Sequence, residues 1–322
     1  MIPADRDPGV RHMIVTVTLN TALDVTYRVP RMLPHASHRV SDVIERPGGK
    51  GLNVARVLAA LGHAVTATGF AGGPAGEAVR AGLAAHAPGV RDALLPCAGP
   101  TRRTLAVADA ASGDTTQFNE PGPLITAPEW AAFLERYDAL VSSGAQAVAL
   151  CGSLPPGVPV GAYALLVRRA RAAGVPVLLD TGGEALRRGI AARPDMIKPN
   201  STELAELTGS RDPLPATRDA RRRGAHAVIT SLGPAGLLAA TPQGGWRATP
   251  PRALSGNPTG AGDSAVAGLL SALAEGLDWP ARLARAVALS AATVHSPVAG
   301  EFDPRTYEEV RGSVSVTPTP DQ

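Results

Sequence analysis

Short apolar segments alternate with longer amphipathic segments along most of the chain. Runs of apolar and β-branched residues predict strands, over residues 13–19, 65–70, 147–151, 175–180, 195–199 and 226–231. Apolar residues at helical spacing predict helices, over residues 51–61, 75–86, 127–142, 160–173, 183–190, 201–208, 214–223, 262–275 and 280–295. Strands that alternate with helices imply an α/β fold, with a mostly parallel sheet covered by helices on both faces.

Two segments, residues 22–46 and 97–122, break this alternation. Both alternate polar with β-branched residues and lack a crossover helix, and the second reads as a hairpin around Ser112 and Gly113. We expect the two segments to pair as a small sheet over one edge of the main sheet. Ligands of such folds bind outside the carboxyl ends of the strands, so this small sheet would act as a lid.

The boundaries of the domain follow from where the patterns stop. Residues 13–312 are expected to form a single domain of the size that one α/β fold needs. The polar residues 1–12 are expected to be a disordered leader, and the Pro-containing residues 313–322 a disordered tail.

Composition excludes several classes of partner. The 322 residues carry a formal net charge of +3, but no basic stripe is interleaved with aromatic residues, so we expect no nucleic-acid binding. No apolar run reaches the roughly 18 residues of a membrane span, so we expect no membrane partner. Cys97 and Cys151 are the only cysteines and form no CxxC pair, which predicts reduced thiols in a cytoplasmic protein.

The segment Asn257–Asp263, with the sequence NPTGAGD, begins a predicted helix. The free amides of a helix N-terminus, reached closely through glycines, form an anion site. If the site only bound a phosphate, a carboxylate beside it would be unfavourable, because the two negative charges would repel each other. It makes sense if Asp263 removes a proton from a hydroxyl while the amides hold the phosphoryl group under attack. A helix cap with a tight glycine turn is the alternative interpretation.

Other polar motifs follow the predicted strands, and each has a structural alternative. The segment PGGKGLN (47–53) suits an anionic or polyhydroxyl ligand, or is an ordinary glycine turn. Asn20 and Asp24 flank the end of the first strand. They could contact a ligand there, or they could simply form the loop. In KPNSTE (198–203), Asn200 and Glu203 match a capping box, although Glu203 could also hold the waters of Mg²⁺.

Two more loops have the same position after a strand. SLGPAG (231–236) could face a nucleotide or simply connect two strands, and GSLPPG (152–157) could hold a phosphate through Ser153. The P-loop, the GxGxxG dinucleotide fingerprint and the GxSxG nucleophile elbow are all absent from the sequence. A nucleotide would therefore need another kind of binding site.

These motifs together resemble the ribokinase-like (PfkB) carbohydrate kinases, and the phosphosugar branch in particular. The resemblance covers residues 13 to about 300 and rests on TLNTALDVTY (18–27), GGKGLNVARVLAALG (48–62), Thr101-Arg102, FNEPGP (118–123), GSLPPG, KPNSTEL (198–204), SLGPAG and NPTGAGDS (257–264). It implies a ribokinase-like α/β fold with a small β-sheet lid, and ATP with Mg²⁺ as cofactors.

The resemblance also implies roles for individual residues. Asp263 would be the catalytic base, beside an anion hole formed by the amides of Gly260, Ala261 and Gly262. The sugar hydroxyls would be contacted by Asp24, Gly48, Gly49 and Asn53. The phosphate already on the acceptor would be held by Lys50, Arg102, Ser153 and, from the lid, Arg39.

The nucleotide side is implied in the same way. Positions that match ATP contacts are Lys198, Asn200, Ser231, Gly233 and Gly236, and Glu203 matches the Mg²⁺ position, through water. Residues 295–300 (HSPVAG) differ from the segment of the relatives on the adenine side. That difference leaves the adenine contacts and a monovalent-cation site open.

The resulting hypothesis is an ATP-dependent kinase of a ketohexose phosphate, with fructose 1-phosphate as the acceptor and fructose 1,6-bisphosphate as the product. Tagatose 6-phosphate and fructose 6-phosphate are the alternative acceptors. A non-catalytic sugar-phosphate sensor on the same fold is an alternative from another class. Because a small exposed sheet is only marginally stable alone, we also predict a homodimer through the lid.

Overall fold

The computed structural model of the chain describes residues 13–252, 256–296 and 298–320. Within these residues, one large sheet has eleven strands. They are β1 (Met13–Thr18), β4 (Val65–Ala71), β5 (Val90–Asp92), β6 (Leu95–Pro96), β9 (Ala145–Cys151), β10 (Val177–Asp180), β11 (Met196–Ile197), β12 (Ala227–Ser231), β13 (Leu237–Thr241), β14 (Gly244–Thr249) and β15 (Ser315–Pro318).

The strands of this sheet follow the order β15-β14-β13-β12-β11-β10-β9-β1-β4-β5, and β6 extends β4. Every pair from β12 to β5 is parallel, which confirms the predicted mostly parallel sheet. Its inner strands, from β12 to β4, are apolar and mostly buried on both faces because helices cover both sides. The antiparallel edge from β12 to β15 was not predicted.

Helices pack on both faces of the large sheet. They are α1 (Lys50–Ala60), α2 (Gly73–His86), α3 (Ala127–Ser142), α4 (Ala162–Ala172), α5 (Gly183–Ile190), α6 (Ser201–Thr208), α7 (Pro213–Arg222), α8 (Ala261–Ala274), α9 (Trp279–Thr293) and α10 (Pro304–Arg311), with a short 3-10 helix at Gly233–Ala235. One apolar core joins the sheet to α1, α2, α8 and α9. A second core joins the opposite face to the helices from α3 to α7.

A separate sheet of four strands forms from the two segments that broke the alternation. Its strands are β2 (Ala22–Val29), β3 (Asp42–Gly48), β7 (Arg102–Asp109) and β8 (Thr115–Asn119), in the order β3-β2-β7-β8. β2 pairs with β7 in parallel, and each has an antiparallel outer neighbour. The small sheet is therefore present where the sequence predicted it. Only its inner part is buried, since Leu23 and Val25 join the core while every residue of β8 is exposed.

The predictions for the two ends of the chain have different outcomes. Residues 1–12, predicted to be a disordered leader, lie outside the described residues. The prediction of a disordered tail over 313–322 is wrong for residues 315–318, because β15 pairs with β14 from Ser315 opposite Thr249 to Pro318 opposite Trp246. β15 is an edge strand. Proline has no backbone N–H to donate to a neighbouring strand, and an edge strand tolerates this loss at Pro318. Among the described residues, no helix is long and apolar enough to span a membrane.

Candidate active site

The carboxyl ends of the parallel strands bring the polar loops together around one cavity of about 570 Å³. Its walls come from the loop after β1, the start of α1, the small sheet and the loops after β9 and β10. The polar side chains that line it include Asn20, Lys50, Arg102, Asn119, Ser153 and Glu203. Residues far apart in the sequence thus meet where the motif positions predicted a common edge.

The N-terminus of α8 provides a place for an anion. Gly260 is the residue before the helix and has a φ of 84°, a conformation that favours glycine. A Cβ at Gly260 would lie 2.9 Å from the Cα of Ala299, so a side chain would also push this turn apart. A Cβ at Gly262 would lie 3.4 Å from the Nζ of Lys198. An ammonium group therefore stands against the first turn of α8. In this turn the amide of Ala261 donates to the carbonyl oxygen of Pro258 at 3.1 Å, and the end of a helix still offers further amides to an anion.

Asp263 lies in the first turn of α8 and is only 7% exposed. Its Oδ2 accepts a hydrogen bond of 2.9 Å from the Nδ2 of Asn53 on α1. Burial raises the pKa of Asp263 to about 6, although the positive charge of Lys50 opposes this shift. A carboxylate with a pKa near neutrality can both accept and release a proton, as a general base requires.

Asp180 at the end of β10 is a site residue that the sequence analysis missed. Its carboxylate is 1% exposed and lies 3.4 Å from the Nζ of Lys50 and 3.4 Å from the Nζ of Lys198. Burial raises its pKa, but the two ammonium groups outweigh burial and hold the pKa below the usual value. The available signal was a carboxylate at the last position of a buried strand, on the edge that carries the other motifs.

Lys50, the first residue of α1, connects this buried charge cluster to the cavity. Its side chain is 38% exposed, and its Nζ lies 3.9 Å from Oε1 of Glu203 as well as beside Asp180. The negative charge of Asp180 raises the pKa of Lys50 and outweighs the effect of burial. Lys50 is thus a permanently charged ammonium that faces the cavity.

Asn200 and Glu203 at the start of α6 form the capping box that the sequence predicted. Oδ1 of Asn200 accepts from the amide of Glu203 at 2.9 Å, and Oε2 of Glu203 accepts from the amide of Asn200 at 2.8 Å. Oε1 of Glu203 takes no part in the cap; it lies 3.9 Å from the Nζ of Lys50, and Glu203 lines the cavity, where a ligand could reach it. The structural and functional interpretations of this motif are therefore compatible.

A divalent metal fits this site only with help from a ligand. Within the described ranges, no group of three or more His, Cys, Asp or Glu side chains could hold a metal ion. Mg²⁺ keeps several waters and is held by one or two carboxylates together with substrate phosphates. Oε1 of Glu203, which takes no part in the cap, matches that mode of binding, whereas Asp180 is already neutralised by two lysines.

The small sheet places Asp24 against Gly48, outside the lining of the cavity. A Cβ at Gly48 would lie 2.1 Å from Cγ of Asp24, so the glycine makes room for this carboxylate. Burial raises the pKa of Asp24, and a hydrogen bond from the Thr104 hydroxyl together with the charge of Arg102 partly opposes the rise. Gly49, with a φ of 98°, precedes the first residue of α1.

Four polar residues line the cavity near the small sheet. The Nδ2 of Asn20 donates a hydrogen bond of 3.0 Å to the hydroxyl of Ser153. The Nε of Arg102 donates one of 3.2 Å to the carbonyl oxygen of Asn20. Asn119 of β8, which the sequence analysis did not select, lines the same cavity. These groups could bind an anion together.

The predicted nucleotide contacts follow the same edge but lie outside the lining of this cavity. The amide of Ser231 donates to the Pro199 carbonyl at 3.0 Å, which places it beside the Lys198 loop. Gly233 and Gly236 have φ values of 59° and 85°. A Cβ at Gly236 would lie 2.1 Å from the carbonyl oxygen of Ala248. Close packing therefore requires a glycine at this position, whether or not it contacts a nucleotide.

Two further positions do not join the cavity. Arg39 lies in the exposed connection between β2 and β3, and it does not line the cavity. A hydrogen bond of 3.0 Å between Nδ1 of His295 and Oγ1 of Thr306 joins the end of α9 to α10. His295 therefore has a structural contact of its own.

Comparison with known proteins agrees with this arrangement. The sequence profile of the pfkB family of carbohydrate kinases matches residues 13–305. The chain belongs to the pfkB family. It is therefore a phosphotransferase, and membership of this family implies ATP and a divalent metal as its cofactors.

Individual relatives support the same family. A 1-phosphofructokinase from Rhodobacter capsulatus is 39% identical over 288 residues, which are 86% of this chain and 90% of that protein. Phosphofructokinase-2 from Escherichia coli, solved with fructose-6-phosphate, has a TM-score of 0.84 and 30% identity, over 94% of this chain and 98% of that chain. The same protein has also been solved with potassium and in a tetrameric inhibited form.

A third relative extends the structural agreement. A protein from Thermotoga maritima named possible 1-phosphofructokinase has a TM-score of 0.87 and 26% identity, over 96% of this chain and 100% of that chain. The ribokinase-like fold that the sequence resemblance implied is thereby confirmed for this pfkB kinase, including the small sheet.

Proposed function

We propose that this pfkB kinase transfers the terminal phosphoryl group of ATP to a ketohexose phosphate, with fructose 1-phosphate as the acceptor and its 6-hydroxyl as the nucleophile. The observation that carries the proposal is the position of Asp263. It is a buried carboxylate with a pKa of about 6 at the N-terminus of α8, next to an ammonium-lined cavity. The product is fructose 1,6-bisphosphate.

The reaction needs one proton transfer and one phosphoryl transfer. Asp263 takes the proton of the acceptor hydroxyl as that oxygen forms a bond to the terminal phosphorus. The bond between this phosphorus and the bridging oxygen breaks, and ADP leaves with the electron pair. The amides of Gly260, Ala261 and Gly262 would hold the phosphoryl oxygens, where preorganised donors lower the barrier most.

Several charged groups would hold the nucleotide. Lys198, kept in place by Asp180, stands against the anion-hole turn and is suited to the phosphates. Asn200, Ser231, Gly233 and Gly236 are proposed to contact the rest of ATP. Glu203 would hold Mg²⁺ through water, and the ion would supply positive charge that offsets the charge of the phosphates.

The acceptor would be bound through both of its ends. Asp24, Gly48, Gly49 and Asn53 are proposed to contact the sugar hydroxyls, since a carboxylate can accept two hydrogen bonds from neighbouring hydroxyls. Lys50, Arg102 and Ser153 are proposed to hold the phosphate, because charged donors form the strongest hydrogen bonds to phosphate. Arg39 would have to move with the small sheet to reach it.

The name of the Rhodobacter capsulatus relative supports fructose 1-phosphate, whereas the Escherichia coli complex supports fructose 6-phosphate as an alternative. An acceptor panel distinguishes them: kcat/KM with ATP is measured for fructose 1-phosphate, fructose 6-phosphate and tagatose 6-phosphate. We expect the highest value for fructose 1-phosphate. If kcat/KM is higher for another phosphosugar, that sugar is the acceptor. If no phosphoryl transfer to any of the three is measured, the non-catalytic sugar-phosphate sensor is favoured.

We also propose a homodimer through the small sheet. By strand register, Val43 of β3 and Phe118 of β8 lie on one face of this sheet, and they are 49% and 54% exposed. A second copy would cover these side chains and support a sheet that has few strands. Light scattering at micromolar concentration should give the mass of a dimer, and a monomer would contradict this proposal.

A further inference from the structure

Arg56 of α1 is a buried cation that the proposed reaction does not use. Its side chain is 2% exposed, so the charge must find partners inside the protein. One terminal nitrogen donates to Oε1 of Glu301 at 2.5 Å, and the other donates to the carbonyl oxygen of Ala299 at 2.9 Å. The guanidinium fork therefore holds the segment 299–301 at two points.

The segment that Arg56 holds packs directly behind the proposed anion hole. A Cβ at Gly260 would lie 2.9 Å from the Cα of Ala299 and 3.2 Å from the amide nitrogen of Gly300. A Cβ at Gly300 would lie 2.8 Å both from Nη1 of Arg56 and from Oδ1 of Asn53. The guanidinium of Arg56, segment 299–301 and the turn at Gly260 are thus packed so closely that neither glycine leaves room for a Cβ.

The same helix also holds the proposed base. Asn53, one turn before Arg56 on α1, donates to Asp263. α1 therefore supports the first turn of α8 at two points, through the side-chain amide of Asn53 and through segment 299–301. A third charge completes the group, because the Nε of Arg46 on β3 lies 3.6 Å from the same oxygen of Glu301.

We propose that Arg56 and Glu301 are positioning residues that seat Gly260, and with it the anion hole, against segment 299–301. This inference rests on the proposed kinase mechanism, in which the amides after Gly260 bind the transferred phosphoryl group. Neither side chain touches the substrate. Their effect passes through backbone packing, and small displacements of donors cost much in rate because the donors must match the transition state.

The test compares Glu301→Gln with a matched control, Glu275→Gln. Both carboxylates are about equally exposed, at 41% and 44%, and both pair with a more buried arginine, Arg56 or Arg285. Glu275 lies at the far end of α8, away from the cavity. In Glu301→Gln we expect kcat to fall by about 10-fold to 100-fold, with both KM values within about threefold. In Glu275→Gln we expect kcat to stay unchanged.

Amide hydrogen exchange of a peptide over residues 257–264 tests the packing without any substrate. We expect about tenfold faster exchange in Glu301→Gln and no change in Glu275→Gln, because only the first loosens the support of this turn. This measurement remains decisive if the wild-type protein phosphorylates none of the acceptors, so failure of the proposed function and failure of this inference are distinguishable.

Two results would overturn the inference. One is wild-type kcat together with wild-type exchange in Glu301→Gln. The other is an equal loss of kcat in both variants in proportion to a loss of thermal stability, which would indicate only a general structural role. If Glu301→Gln does not fold, Glu301→Asp keeps the charge but shortens the reach to Arg56, and the same two measurements apply to it.

Discussion

The two walls of the cavity are built differently. The wall on the main sheet has Lys50 in its lining. Asp180, Lys198 and Asp263 lie next to this wall, all less than 8% exposed, on strand ends and a helix start that the core fixes. The wall on the small sheet holds Arg102 at a strand start, and the adjacent β8 is exposed throughout. This difference teaches that charges which must keep fixed positions lie on the rigid wall of the main sheet, whereas Arg102, one of the groups proposed for acceptor recognition, lies on the softer wall of the small sheet.

The largest effect should come from the rigid wall. Asp263→Asn keeps the shape and the neighbour Asn53 but cannot accept a proton. We expect kcat to fall by about 100-fold to 10,000-fold, the usual contribution of a general base, with the KM for ATP nearly unchanged. Steady-state kinetics with the best acceptor checks this. Wild-type turnover in the variant would remove Asp263 from the mechanism.

Asp180→Asn should show how strongly the rigid wall depends on charge balance. The substitution leaves the ammonium groups of Lys50 and Lys198 together without the carboxylate that neutralises them. Breaking a buried ion pair from one side costs about 3 kcal/mol or more, and urea unfolding measures this loss. As the control, Asp138→Asn breaks the exposed pair with Arg169 and should cost less than about 1 kcal/mol. Equal losses would contradict the proposed role of Asp180.

Arg102→Ala tests the softer wall. Loss of a charged hydrogen bond to phosphate should raise the KM of the phosphosugar by about 10-fold to 100-fold, while kcat changes little because the base and the anion hole remain. Arg103→Ala is the matched control, since the neighbouring Arg103 is 64% exposed and pairs with Glu120. A fall in kcat without a change in KM would place Arg102 in the chemical step instead.

The predicted fall of activity at low pH comes from Asp263, next to the rigid wall. Asp263 must be deprotonated to act as a base, and its pKa is about 6 because of burial. In the free enzyme, kcat/KM should therefore fall about tenfold per pH unit below pH 6 and level off above it. The residual activity of Asp263→Asn should lack this step. A step that persists in the variant would assign the titration to another group.

The smallest effect is expected at Arg39. This side chain is exposed and does not line the cavity, so Arg39→Ala should change the KM of the phosphosugar by less than about twofold. An increase above tenfold would mean that the small sheet moves on substrate binding and carries Arg39 to the phosphate. That result would make the softer wall a closing lid.

Much of the fold could be predicted from local patterns. The limits of α3, α5 and α6 agree with the predicted helices at both ends. α3 and α6 have capping boxes, signals that lie within four residues. The antiparallel edge β13–β15 and helix α10 were missed, because Pro318 and the short, polar α10 give no periodic signal of their own. Their stability comes from pairing with neighbours that only the fold supplies.

The sequence by itself determined the order of strands and helices, the two segments of the small sheet and the motifs that meet at one sheet edge. These depend on period, caps and glycines, which act over a few residues. Only the tertiary structure decided that Asp180 lies between two lysines, that Asn53 reaches Asp263 and that Arg56 supports Gly260 through Ala299. Those relations join residues up to 243 positions apart, and they exist only because burial in a shared core brings the charges together and makes each one need a partner.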